Sequence, residues 1–147
     1  MTIARGRGKA QGASAFRLPV RVYWEDTDAA GIVFYANYLK FFERARTEWL
    51  RSLGFDQERL RAETGIAFVV AETALRYRLP ARLDDMLEVT VRVAHLGQAS
   101  LSVAQQAWRG GDLLAEGTIR VGCVELGTFR PRRVPDDILS KIQAPEQ

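Results

Sequence analysis

Between residues 35 and 53 apolar side chains return every three or four positions: Tyr38, Phe41, Phe42, Ala45, Trp49 and Leu53. That spacing predicts one long helix, Tyr35 to Leu53, with Gly54 as its stop. Lys40, Arg44, Arg46, Glu48 and Arg51 mostly occupy its other faces. Most of the remaining patterned sequence alternates by two. A helix this apolar must be buried, and the only partner on offer is a sheet. The chain is therefore constrained to an α+β layer arrangement.

The strands are read from alternation and turns. Leu18, Val20, Val22 and Trp24 predict a half-buried first strand over Phe16–Trp24, with Pro19 marking an edge. Asp56 is placed to cap a short helix through Thr64, ended by Gly65. Strands are then expected at Ala67–Leu79, Met86–Leu96, Ser100–Trp108 and Leu113–Leu126. Gly110-Gly111 suits a hairpin turn, and Gly117 and Gly122 suggest a bulge or a close backbone approach. Pro135 with Asp136 and Asp137 suits the first turn of a last helix, Pro135–Ile142. Short turns make the sheet mostly antiparallel. One helix hardly covers five strands, and the sheet edges stay open. A homo-oligomer is expected.

Composition narrows the function classes. The 147 residues carry Lys+Arg 21 against Asp+Glu 18. Arg5, Arg7 and Lys9 lie in an acid-free N-terminus and account for the whole net charge of +3. The remainder is neutral, which argues against a nucleic-acid-binding stripe. Residues 1–14 read as a disordered basic tail, and residues 15–147 as one domain. No run approaches the roughly 18 apolar residues that a membrane span needs. Cys123 is the single cysteine, which excludes an internal disulfide and fits a reducing, cytoplasmic setting.

Glu25, Asp26 and Asp28 crowd four positions just before the long helix. Acids there are ordinary as caps. A calcium loop fails, because its fifth position would be Ala30 and its last Asn37. A third reading is catalytic. Free N–H groups at a helix start stabilise an oxyanion, and a nearby carboxylate serves as nucleophile or general base. Gly31 would let backbone approach a ligand.

The run from Val22 to Tyr38, VYWEDTDAAGIVFYANY, resembles the signature of hotdog-fold acyl-CoA thioesterases of the 4-hydroxybenzoyl-CoA thioesterase family. Phe41–Glu48, Ala67–Val70 and Pro80–Leu87 bring it closer to the Tol-Pal-associated acyl-CoA thioesterase group. The resemblance spans about Phe16 to Ile142. It implies a five-stranded sheet wrapped around one long helix, thioester hydrolysis to a free acid and CoA, and no metal or redox cofactor. It implies that Asp28 carries the chemistry, by attacking the thioester carbonyl or by activating water. Tyr35 matches the position whose backbone N–H polarises that carbonyl, where some members of the closer group carry histidine. Gly31 and Ile32 shape the turn, while Glu25 and Asp26 support it. Dimers assembled into tetramers are implied, with sites between subunits.

Tyr38, Phe41, Phe42 and Phe68 could line an acyl pocket, although core packing between helix and sheet is the better explanation for most of them. Among the arginines that could meet the CoA phosphates are Arg82 and Arg130. An acyl carrier protein is an alternative thioester partner. His95 reads as a turn residue and Cys123 as a buried small residue. No histidine lies near the helix start, which disfavours dehydratase chemistry. Two rival classes remain: a non-catalytic acyl-CoA or carrier-protein binding module, and an interaction protein acting through its tail.

Overall fold

The computed structural model describes residues 15–143. The basic tail expected at residues 1–14 lies outside them. The elements are β1 (Phe16–Arg21), α1 (Tyr38–Ser52), α2 (Gln57–Thr64), β2 (Ile66–Tyr77), β3 (Met86–Leu96), β4 (Ser100–Arg109), β5 (Asp112–Glu125) and α3 (Asp136–Gln143). Two short 3-10 turns, Trp24–Asp26 and Tyr35–Asn37, stand between β1 and α1.

All four strand pairings are antiparallel, in the order β1-β3-β4-β5-β2. β1 is an edge, as Pro19 predicts, and β2 is the other. The alternation in β3 is met directly: Leu87, Val89 and Val91 point inward and are almost wholly buried. They meet Phe41, Phe42 and Ala45 of α1, which have no exposed surface. α1 therefore fills the hollow of a curved sheet, which is the hotdog arrangement. Ile66, Cys123, Val134 and Ile138 make a second, smaller core beneath α3.

Local chemistry sets the element ends. Asp56 accepts from the N–H groups of Glu58 and Arg59, and Gly65 closes α2 in the left-handed conformation. Gly110 turns the β4–β5 hairpin at φ +60°. At Gly117 a Cβ would fall 2.4 Å from both Ala74 O and Leu75 Cδ2, so close approach is the reason for that glycine. Gly122 has no such need: its nearest neighbour would be Val69 O at 3.9 Å. The β2 bulge falls between Val70 and Glu72 instead.

Two predicted boundaries move by three residues. The first strand stops at Arg21, short of Trp24. The Tyr23 N–H turns to the Asp26 carboxylate, 2.8 Å away, which folds residues 24–26 into a 3-10 turn. Trp24 is thereby turned outward and is 80% exposed. The long helix begins as a separate tighter turn, Tyr35–Asn37, before the α geometry starts at Tyr38. Side-chain ties at both ends of that turn hold it, as described next.

Candidate active site

Residues 26–37 form a loop that is anchored at three places. Asp26, 3% exposed, is the first anchor. Its Oδ2 accepts from Tyr23 N–H, and its Oδ1 accepts from the buried Asn37 Nδ2 at 2.9 Å. Its carbonyl accepts from Phe34 N–H at 3.0 Å. One residue thus ties the exit from β1 to the entry into α1. The second anchor is a narrow antiparallel pairing of Thr27 with Val33, closed by Asp28 N–H to Ile32 O at 2.9 Å. Gly31 makes the turn at φ +80°, a conformation that a side chain would strain. The third anchor is the Pro80–Asp85 turn. Val33 N–H donates to Ala81 O at 2.9 Å, and Ile32 pairs with Arg82.

That third anchor is itself braced. Asp85 Oδ2 accepts from Arg82 N–H and from Arg109 Nη1, both at 2.8 Å. Burial pushes the Asp85 carboxyl up, but the Arg82 N–H and the Arg109 guanidinium outweigh it and hold it below its ordinary value.

Asp28 sits at the tip of the loop and is exposed. Its Oδ1 accepts from Ala30 N–H at 2.9 Å, which fixes the carboxylate orientation and leaves Oδ2 open to an incoming group. Seven residues on, Tyr35 opens the 3-10 turn. The first N–H groups of such a turn have no acceptor within it. Tyr35 O accepts from Tyr77 Oη at 3.1 Å, so β2 holds the turn from the other side. The rings of Tyr35 and Tyr38 lie 6.3 Å and 5.6 Å from that of Tyr77. Burial, then the neighbouring Tyr35, pushes the Tyr77 phenol up. The three acids do not converge. Asp26 points inward and Asp28 outward, and no group of three metal-ligating side chains forms among the described residues.

The predicted site residues divide into three groups. Asp28, Gly31, Ile32, Tyr35 and Arg82 are gathered at this loop. Tyr38 is 3% exposed and Phe42 fully buried, so both sit in the core, and neither lines the cavity that Phe68 borders. Phe68 does line one, between β2 and the C-terminal half of α1. Arg130 lies elsewhere: its loop follows β5, where Leu126 N–H meets Gly65 O beside the start of β2. Tyr35 contacts the other end of β2, at Tyr77. Within one chain Arg130 is therefore not part of the loop site.

Sequence reasoning did not single out Asn37, Tyr77, Asp85 or Arg109. Each acts through a partner distant in sequence, up to 42 positions for Tyr77 and Tyr35. Only Asn37 had a local signal, a polar side chain at the start of an otherwise apolar helix face.

Comparison with known proteins agrees with this fold. Residues 22–142 match the family described as the thioesterase-like superfamily. The acyl-CoA thioesterase YbgC of Haemophilus influenzae is 45% identical over 125 residues, covering 85% of this chain and 92% of that protein. The acyl-CoA thioester hydrolase YbgC of Escherichia coli O6:H1 is 44% identical over 129 residues, covering 87% and 96%. A probable thioesterase from Bartonella henselae superposes with a TM-score of 0.79 at 31% identity, covering 82% of this chain and 99% of that one. Sequence and fold together make this chain a thioester hydrolase of the thioesterase-like superfamily.

Proposed function

We propose that this thioesterase hydrolyses acyl-CoA to a free acid and CoA, with Asp28 as the reacting carboxylate and the turn at Tyr35 as the oxyanion site. The observation that carries this reading is the Asp28 carboxylate itself. One oxygen is held by Ala30 N–H, and the other is open at the mouth of a triply anchored loop. Acyl-CoA as the thioester is supported by the names of the two YbgC relatives. Attack by Asp28 on the carbonyl carbon would form a mixed anhydride and release CoA thiolate, and water would then free the acid. Acting instead as a base, Asp28 would take a proton from the attacking water. In either route the oxygen gains negative charge, and backbone N–H groups at the helix start stabilise it.

The working unit we infer is a two-fold dimer in which β2 edges pair antiparallel. β2 offers an unpaired edge 12 residues long, flanked by exposed Val70, Tyr77 and Leu79. Pairing over the full strand would set the Ile66 end of one copy beside the Tyr77 end of the other. That brings Phe68 and the Arg130 loop toward the second copy's Asp28. Association of two such dimers would give a tetramer. No helix among the described residues is long and apolar enough to cross a membrane. We infer a cytoplasmic enzyme, and an acyl carrier protein is a second thioester carrier to be tried.

The test is CoA release, followed with a thiol reagent, across short, long and aromatic acyl-CoAs. Asp28→Ala is expected to lower kcat by at least about a hundredfold. Single turnover in heavy-oxygen water with rapid quench reads the route: label in the Asp28 carboxylate, or an acyl adduct trapped on Asp28, means nucleophile, and label in the acid with no adduct means base. Turnover that survives Asp28→Ala would refute the assigned carboxylate. Binding without turnover would make the chain a non-catalytic acyl-CoA module.

A further inference from the structure

The α1 face that looks toward the free edge of β2 is mixed in polarity. Glu43, Arg46, Thr47 and Leu50, at positions i, i+3, i+4 and i+7 of the helix, line a cavity of 160 Å³ with the apolar side chains of β2, β4 and β5. Thr47 Oγ1 donates to Glu43 Oε2 at 2.8 Å and accepts from Gln57 Nε2 at 3.1 Å, so these three groups serve one another.

Arg46 is placed differently. Its Nη1 donates to Gln105 Oε1 at 3.1 Å. Gln105 is fully buried, and its amide nitrogen donates to Phe42 O at 3.1 Å and Thr90 O at 3.3 Å. Those two bonds decide which end of the amide faces Arg46. A guanidinium has about five N–H donors. Only this neutral oxygen meets one of them, and Arg46 makes no ion pair among the described residues. Burial pushes its guanidinium down, and the Glu43 carboxylate opposes that push. A half-buried cation with open donors, on a wall whose other polar groups serve one another, is costly unless an acceptor meets it.

We propose that this cavity takes an acyl group with an oxygen acceptor at its far end, and that Arg46 selects it. The cavity of 160 Å³ is close to the size of cavities that admit benzene, which sets the buried part of the acyl group at about six carbons. Glu43 acts on Arg46 only through its charge and makes no ion pair with it, so the acceptor can be a carboxylate or a hydroxyl. The inference rests on the hydrolase reading above. The paired β2 edges would deliver the acyl group from the second copy's Asp28 to Phe68 and the cavity.

The probes are hexanoyl-CoA, 6-hydroxyhexanoyl-CoA and adipoyl-CoA, with the full chain. Wild type is expected to favour one of the two tipped substrates over hexanoyl-CoA by on the order of tenfold in kcat/KM. In Arg46→Gln that ratio should fall to about one, chiefly through KM, and Arg46→Lys should recover part of it. A preference for adipoyl-CoA identifies a carboxylate, and for 6-hydroxyhexanoyl-CoA a hydroxyl. Equal treatment of the three by wild type, or an unchanged ratio in Arg46→Gln, would overturn the proposal. Calorimetric titration of Asp28→Ala protein with the same compounds reads the preference without turnover. Preference in binding with an inactive wild type sinks the hydrolase reading alone; turnover without preference sinks only this one.

Discussion

Removing the Asp26 carboxylate is the sharpest probe of how the loop is held. Asp26 is 3% exposed and accepts two hydrogen bonds, from Tyr23 N–H at 2.8 Å and from Asn37 Nδ2 at 2.9 Å. Hydrogen bonds to a charged group contribute about 1.5–3 kcal/mol each, so Asp26→Ala forfeits about 3–6 kcal/mol. Relief of the desolvation cost of a buried carboxylate offsets part of that, leaving a net loss of about 3 kcal/mol. For a chain of this size that lowers Tm by on the order of 10 °C. Asp26→Asn should behave differently. Its oxygen still accepts from Tyr23 N–H, and a flip of the Asn37 amide presents an oxygen to the new NH₂ group. Both bonds persist as neutral ones, and the loss should stay near 1 kcal/mol. Urea unfolding followed by circular dichroism, at one fixed protomer concentration, measures both variants. Turnover should fall with stability in Asp26→Ala, because the lost side-chain tie to Asn37 loosens the helix entry that begins at Tyr35. Equal losses in the two variants, or a loss under about 1 kcal/mol in Asp26→Ala, would show that the carboxylate does not hold the loop.

Two further measurements bear on the frame around the site. Gly117→Ala should cost about 1–3 kcal/mol in urea unfolding, because its Cβ would lie 2.4 Å from the Ala74 carbonyl oxygen, while Gly122→Ala should cost clearly less. A reversed order of the two would refute close packing as the reason for Gly117. Asp85 titrates below its ordinary value near 3.8, so the stability it lends is present above that value and is lost as pH falls through its lower folded value. In Arg109→Met the folded carboxyl titrates closer to its unfolded value, so Tm should be lower than wild type at neutral pH and the acid limb shallower, the two curves converging as pH falls. Parallel limbs for variant and wild type would mean that Arg109 does not support the turn under Ile32 and Val33.

The periodicity of Tyr38, Phe41, Phe42, Ala45 and Trp49 was enough to place a buried helix. The alternation of Leu87, Val89 and Val91 was enough to place a strand facing it. Both signals are local, because burial of one face is written into residue spacing. The same holds for Gly31 and Asp28, which form a turn from their own backbone and side-chain chemistry. Trp24 failed for the opposite reason: its alternation was apolar, but a carboxylate two residues on captured Tyr23 N–H and turned it outward.

Tyr38 and Phe42 carried the right chemistry for a pocket, and nothing in their spacing distinguishes a core wall from a cavity wall. That depends on how the sheet curves around the helix, which places Phe68 at the cavity and leaves Phe42 inside the core. The bracing of Tyr35 by Tyr77, of Asp85 by Arg109 and of Arg46 by Gln105 arises only when distant strands pair in register. Sequence by itself determined the elements, the buried faces and the acidic loop, because each follows from neighbours a few residues apart. Tertiary structure decided which polar groups meet and which are left facing a cavity, because those partners are joined only by the folded sheet.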